Sequence, residues 1–481
     1  MSVKLDNPDP IDETNQEVSV WLNKLQGNIL RGHGRDNGIY IFFSLSEDET
    51  RAREIVKDLA ERYVRSALVQ YQETVAYRTT KQDGPVFANL FLTAHGYQRL
   101  GFKPGDKFHE PAEPVPHGHN PVSTFVSGMR HTAVDDLGDP PVGQWEAGYQ
   151  QAIDGMILLA GDNEQELLRV AHTAAARIRT HHSVRATEVG RALRNDKKEG
   201  IDHFGFLDDL SQPRYLTEDF LFDGDKRTHT KKGMSISEWD PIAPLEQVLV
   251  RDPYAPGDDC FGSFLVFRKL EQNVRGFRNR EQELTRELGF DEASRERAAA
   301  MIVGRFRDGT PLSFSAAEGW SPQGDNNFTY ASDPLGRRCP FHAHIRKVNP
   351  RGEAQGPDLD RQRRITRRSI TYGRLESPAA LQPAPALPTR DVGLLFMCFQ
   401  ASIRRQFAFI QRRWANDVDF KWAPTGIDPL AGQSPVASAV PQNWSLQWGP
   451  AQKVRTGFGG YVTMKGGDFF FAPSLPFFET L

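Results

Sequence analysis

Ile39-Tyr40-Ile41-Phe42-Phe43 is an unbroken apolar run of β-branched and aromatic residues. A run this short, rich in strand formers and flanked by polar residues, reads as a buried strand. Just downstream, Ser46 and Glu49 stand at capping-box spacing. Ala52, Ile55, Leu59, Tyr63, Ala67 and Leu68 then fall on one face at helical spacing. Val86 to Leu92 forms a second strand. A loop rich in Pro, His and Gly follows over 103–122, and Ile153 to Ala160 forms a third strand. Asp162 or Asn163 can cap the next helix, which carries Leu167, Val170, Ala171, Ala174 and Ile178 on its apolar face.

The second half repeats this order without repeating the sequence. Phe264 to Phe267 is a strand, Leu284 and Leu288 mark a helix, and 293–303 forms another. Leu394 to Phe399 is a strong strand, followed by Ile403, Phe407, Ile410 and Trp414 at helical spacing. A split β-α-β pattern met twice predicts an α+β fold of two ferredoxin-like domains. The charged run Asn195-Asp196-Lys197-Lys198-Glu199-Gly200 marks the expected boundary, giving domains 1–200 and 201–481. Residues 1–25 read as a polar lead-in. The segments 240–262, 315–338 and 374–390, rich in Pro, Gly and charge, read as loops.

The 481 residues are 38% hydrophobic and 25% charged, an ordinary globular balance. With 59 basic and 62 acidic residues the formal net charge is −3, which calls for neither nucleic acid nor an anionic membrane as partner. No apolar stretch approaches the ~18 residues of a membrane helix. Cys260, Cys339 and Cys398 are odd in number and far apart, which argues against a disulfide framework and for a reducing compartment. The opening MSVKLDNPDP shows no apolar export core and no twin arginine. The expected location is therefore cytoplasmic.

Three clusters could carry chemistry. In Cys339-Pro340-Phe341-His342-Ala343-His344-Ile345-Arg346-Lys347, the Cys and His side chains could bind zinc, though a closed zinc site needs a fourth ligand. Both histidines could equally be surface residues, or one could be an axial haem ligand. His117 and His119 pose the same question in the 103–122 loop. The carboxylates of Gly205-Phe206-Leu207-Asp208-Asp209 could form a cap or turn. Arg367-Arg368 could be solvated surface.

Taken together the clusters resemble the dye-decolourising peroxidase family. Gly205-Phe206-Leu207-Asp208-Asp209 matches that family's G-x-x-D-G motif in all but the last residue, and Leu210-Ser211-Gln212-Pro213 continues it. Cys339-Pro340-x-x-Ala343-His344-Ile345-Arg346-Lys347-x-Asn349-Pro350-Arg351 looks like the haem-ligand segment. Arg367-Arg368-Ser369-x-x-Tyr372-Gly373 looks like the distal-arginine segment. Gly393-Leu394-Leu395-Phe396, Phe409-Ile410-Gln411 and Trp414-Ala415-Asn416 are similar to the family's last strand and helix. Gly466-Gly467 with Phe470 to Leu475 is similar to its C-terminus, and Leu25-Gln26-Gly27-Asn28-Ile29-Leu30 to its N-terminal signature. The ordered matches span about 450 residues, and the length and insertions look like the family's larger, loop-rich bacterial branch.

The resemblance implies a dimeric α/β-barrel-like superfamily fold with haem b (iron protoporphyrin IX) in the C-terminal domain. It implies His344, not His342, as the iron ligand, with a carboxylate or carbonyl behind its second nitrogen that the sequence does not identify. It implies Asp208 as proton shuttle for hydrogen peroxide and Arg367 as the cation that stabilises charge as the O–O bond breaks. Leu394 and Phe396 would line the distal pocket, and Arg351 would meet a haem propionate. An aspartate base, with an ordinary pKa of ~3.9, implies an acidic optimum. The implied reaction is peroxide reduction to water followed by one-electron oxidations of bulky aromatic donors, dyes and phenols, with Trp414, Trp422 or Tyr372 as electron relays. The alternative is a haem-handling protein of the same fold with weak peroxidase activity. A homodimer stays open.

One departure matters. The motif's closing Gly is Asp209 here, in a place where a positive φ is usual and where Asp is among the better-tolerated residues. Adjacent carboxylates also raise one another's pKa.

Overall fold

The computed structural model describes residues 3–110, 123–133, 137–221, 238–291, 294–319, 326–375, 384–433 and 440–481. His117 and His119 lie outside them.

The strands are β1 (Asn37–Ser44), β2 (Phe87–Leu92), β3 (Gly155–Gly161), β4 (Ser183–Arg191), β5 (Val250–Arg251), β6 (Phe261–Gln272), β7 (Thr366–Arg367), β8 (Ile370–Tyr372), β9 (Gly393–Gln400), β10 (Gln442–Ser445), β11 (Lys453–Thr456) and β12 (Val462–Ala472). Two antiparallel half-sheets form, β2-β3-β1-β4 from the first half of the chain and β12-β6-β9-β8 from the second. Each has the ferredoxin-like order, so the fold is α+β and built twice. The half-sheets join edge to edge through one residue pair at each seam, Phe471↔Leu92 and Gly190↔Tyr372. The result is an eight-stranded ring closed within one chain. Among the described residues, closure pairs both edges of each half-sheet, which leaves the ring no long open edge to recruit another strand.

Both halves fill the inside of the ring. Phe42 of β1 meets Phe267 of β6 at 4.7 Å and Phe470 of β12 at 6.2 Å between ring centroids. Buried Gln26 ties one seam, donating to the carbonyls of Leu90 and Pro473 at 2.9 Å each and accepting from Leu90 N–H at 3.0 Å. Side chains alternate along a strand. Thus Leu265 and Phe267 of β6 join the core, while Arg268, Leu270 and Gln272 line a cavity on the other side.

Several local expectations give way to the structure. The lead-in carries a helix, Gln16–Leu22, capped by Asn15, and it buries Trp21 and Leu22. The capping box at Ser46 and Glu49 does not form; Asp48 caps instead by accepting from Arg51 N–H. The single helical face from Ala52 to Leu68 is two helices, Glu49–Tyr63 and Ala67–Thr80. Val64 is extended between them, and Ser66 caps the second through Val69 N–H. Asn163, not Asp162, caps Glu164–Arg179; Asp162 accepts from Asp36 N–H and pairs with Arg35. After β9, Ile403 stays outside the helix, which begins at Phe407–Phe409 and widens into the π-helical turn Ile410–Ala415.

Candidate active site

The cavity has a volume of about 300 Å³ and lies between the outer face of β6 and β9 and the segments His344–Val348 and Phe407–Ala415. Asp208, His344, Arg351, Arg367, Leu394 and Phe396, drawn from four separate stretches of the chain, all line it.

His344 opens the helix His344–Val348. Its Nδ1 bonds to Oδ2 of Asp428 at 2.8 Å. Asp428 is 0% exposed. Its other oxygen accepts from the N–H groups of Leu430 and Ala431 at 2.8 and 2.9 Å. Burial pushes this carboxyl up, but the His344 contact and the two N–H donors outweigh it and hold it below the ordinary value. With Nδ1 committed, Nε2 of His344 has no bonding partner among the described residues. The two residues after Ile345 are fully buried struts. Arg346 bridges Asp333 and Glu353, while Lys347 donates to the carbonyls of Asp417 and Gly426 at 2.6 and 2.7 Å. Lys347 thereby ties the helix to the segment that carries Asp428.

His342 points elsewhere. It is buried against Trp444 at 4.3 Å, and burial drives it down to about 3. Burial drives the Cys339 thiol up to about 12. The zinc reading therefore does not hold: the three side chains do not converge, and no cluster of three or more His, Cys, Asp or Glu suited to a metal occurs among the described residues. The surface reading of His342 and His344 also fails, since neither is exposed.

The cavity's other polar pole is Asp208 with Arg367. Arg367 lies on β7, beside Cys398 of β9. One guanidinium nitrogen reaches Asp208 Oδ1 at 3.4 Å, and another donates to the Ser211 carbonyl at 3.1 Å. Arg368 faces away and is tied to the carbonyls of Asn28 and Ile29, so the N-terminal Leu25–Leu30 stretch braces the strand behind Arg367. Asp209 has φ +56°, the conformation expected where the motif closes on Gly. Arg351 has one guanidinium nitrogen on the carbonyls of Asn326 and Phe328. Leu394 and Phe396 alternate on the cavity face of β9.

Residues 24–192 match the family described as DyP dimeric alpha+beta barrel domain, and residues 246–421 match Dyp-type peroxidase, C-terminal. Multifunctional dye peroxidase DyP2 of Amycolatopsis sp. is 42% identical over 476 residues, 97% of either chain. This chain belongs to the dye-decolourising peroxidase family. It is therefore a peroxidase, and the family's members are haem enzymes. The solved DyP-type peroxidase of Anabaena sp. superposes with a TM-score of 0.88 at 36% identity, covering 99% of this chain and 98% of that one. The structure of DyP2 from Amycolatopsis sp. gives 0.87 at 40% identity, covering 98% and 99%.

The cavity fits a haem on its own chemistry. One imidazole nitrogen is held by a buried carboxylate and the other is left for a metal. The walls are largely apolar, from Ile345, Val348, Leu394, Phe396, Ile410 and Leu430, and arginines Arg351 and Arg364 provide a cationic edge. Sequence reasoning on this dye-decolourising peroxidase missed Asp428, which lies 84 residues beyond His344. The only signal was an Asp between Ile427 and Pro429. It also missed Asp202 and Arg268, both cavity residues. No helix among the described residues is long and apolar enough to cross a membrane.

Proposed function

We propose that the chain binds haem b through Nε2 of His344 and reduces hydrogen peroxide at Asp208 and Arg367. The observation that carries this is the single cavity lined by all three side chains, with His344 backed by a buried aspartate. Bound haem supplies the two electrons that split the peroxide O–O bond. Asp208 takes the proton from one peroxide oxygen and returns it to the other, which leaves as water. Arg367 offers a permanent cation to the negative charge that develops during cleavage. Arg351 holds a propionate. Leu394 and Phe396 keep the wall apolar and limit water. Asp428 keeps the imidazole in one orientation and raises its basicity.

The enzyme then recovers by one-electron oxidations of bulky aromatic donors such as dyes and phenols, which need not enter the cavity. Among the relay candidates, Trp422 is 54% exposed, while Trp414 and Tyr372 are buried. The domain boundary near residue 200 and a cytoplasmic location, read from three buried free thiols, belong to the same proposal. The test is an absorption spectrum of the purified protein before and after one equivalent of peroxide. A Soret band that shifts within seconds and returns when a phenolic donor is added is expected. A Soret band indifferent to peroxide would sink Asp208 and Arg367 as a working pair and favour haem handling.

A further inference from the structure

Four hydrogen bonds around Asp208 close into a ring. The main-chain N–H of Arg367 donates to the side-chain carbonyl of Gln212 at 2.9 Å. The side-chain amide of Gln212 donates to Oδ1 of Asp209 at 2.6 Å. The main-chain N–H of Asp209 donates to Oδ1 of Asp208 at 2.7 Å. The guanidinium of Arg367 returns to that same oxygen at 3.4 Å. Three links are short and one is long, and the long one joins the two groups assigned to peroxide.

The positive φ of Asp209 swings its carboxylate back over the turn, within reach of Gln212. A glycine here would have the backbone freedom but no carboxylate, and the ring would be open. An amide is suited to the linking position because it both accepts and donates. It holds a strand N–H on one side and a carboxylate on the other.

We propose that Gln212 and Asp209 are positioning residues that lock the Asp208 turn against the Arg367 strand. This rests on the reading of Asp208 and Arg367 as the peroxide-reacting pair. The ring fixes both backbones while leaving the Asp208–Arg367 contact loose. Peroxide can then enter between the two side chains without either segment moving. Fixing catalytic groups through supporting hydrogen bonds preserves the reacting geometry, and loss of such supports commonly costs 10–100-fold.

The test is a set of variants of the holoenzyme, read by stopped-flow absorbance for the peroxide step and by amide hydrogen exchange at Arg367. Gln212→Ala removes two links. It should slow the peroxide step by about 10–100-fold, with haem content and Soret position kept and exchange at Arg367 accelerated. Gln212→Glu sets a second carboxylate against Asp209 and should also be slow. Adding Asp209→Asn in that background swaps donor and acceptor, closes the ring again and should restore most of the rate. A Gln212→Ala enzyme that reacts at the parent rate would overturn the inference, as would failure of Asp209→Asn to rescue Gln212→Glu. A parent enzyme inert to peroxide would instead remove the reading of Asp208 and Arg367. Exchange at Arg367, measured without turnover, would still decide whether the ring holds the strand.

Discussion

His344 and the Asp208–Arg367 pair line one cavity, yet they are held in opposite ways. Behind His344, Asp428 has no exposed surface, and both its oxygens are committed at 2.8–2.9 Å. Buried Lys347 pins the loop that carries Asp428. Across the cavity, Asp208 and Arg367 keep about a third of their side-chain surface and meet through one contact of 3.4 Å. The difference follows from what each side must do. A metal ligand works by staying in one orientation, so its hydrogen-bonding capacity is consumed by the protein. Groups that move a proton must keep lone pairs and N–H bonds for the substrate, so each side chain is anchored on one side, by Asp209 N–H or the Ser211 carbonyl, and the contact between the two is left long.

Breaking the rigid side should have the largest effect. His344→Ala removes the only ligand nitrogen proposed for the iron, and the Soret band should weaken and shift while peroxide reactivity disappears. A variant with unaltered spectrum and rate would reassign the ligand. Next comes Arg367→Leu on the loose side. Loss of one preorganised charge donor costs about 10²–10³-fold. Haem binding should survive, so stopped-flow rates must fall while haem content does not. Asp428→Asn should have a smaller effect, about 10–100-fold in haem affinity or rate. The neutral amide no longer pulls the Nδ1 proton, so the imidazole becomes a weaker donor and the reduction potential of the bound iron should rise. Spectroelectrochemistry reads this directly, and an unchanged potential would show that Asp428 is only a structural plug.

The two sides also differ in how legible they were. Asp208, Arg367 and His344 are singled out through short motifs that resemble those of a known family, and the structure brings all three to one cavity. Asp428 is not singled out, because its meaning arises only when a segment 84 residues away folds back onto the His344 helix. The barrel shows the same division. Apolar runs such as Ile39–Phe43 and Leu394–Phe399 announced themselves, whereas β4, reading Ser-Val-Arg-Ala-Thr-Glu-Val-Gly-Arg, buries little beyond Glu188 and Gly190 and has no apolar run to read. A barrel came only through the family resemblance and not from the strand patterns, because each seam is one residue pair. The break at Val64–Ser66 was hidden because both helices continue the same apolar period. Only the Ser66 cap marks it, and Ser66 reads as an ordinary helix residue until the chain is seen to turn.

The smallest predicted effect concerns Asp202, which lines the same cavity. Burial pushes Asp202 up to about 6; the nearby Asp208 charge adds to the rise, and hydrogen bonds from Phe206 N–H and Gln272 oppose it. A raised pKa means that the folded state holds the proton more tightly than the unfolded chain does. The stability this group contributes is therefore complete below pH ~4 and is lost as pH rises through about 6. Asp202→Asn imitates the protonated form at every pH and keeps an acceptor for Phe206 N–H. Its new amide can donate to Gln272 Oε1, which is buried and has no partner among the described residues. The variant should match the parent near pH 4 and become more stable than it by on the order of 1 kcal/mol near pH 7, with partial solvent contact discounted. Denaturant unfolding at the two pH values measures this. A stability difference that stays flat, or that shrinks as pH rises, would mean that Asp202 is ionised and satisfied in the fold. Asp202 would then stand as an ionised carboxylate on the loose side of the cavity.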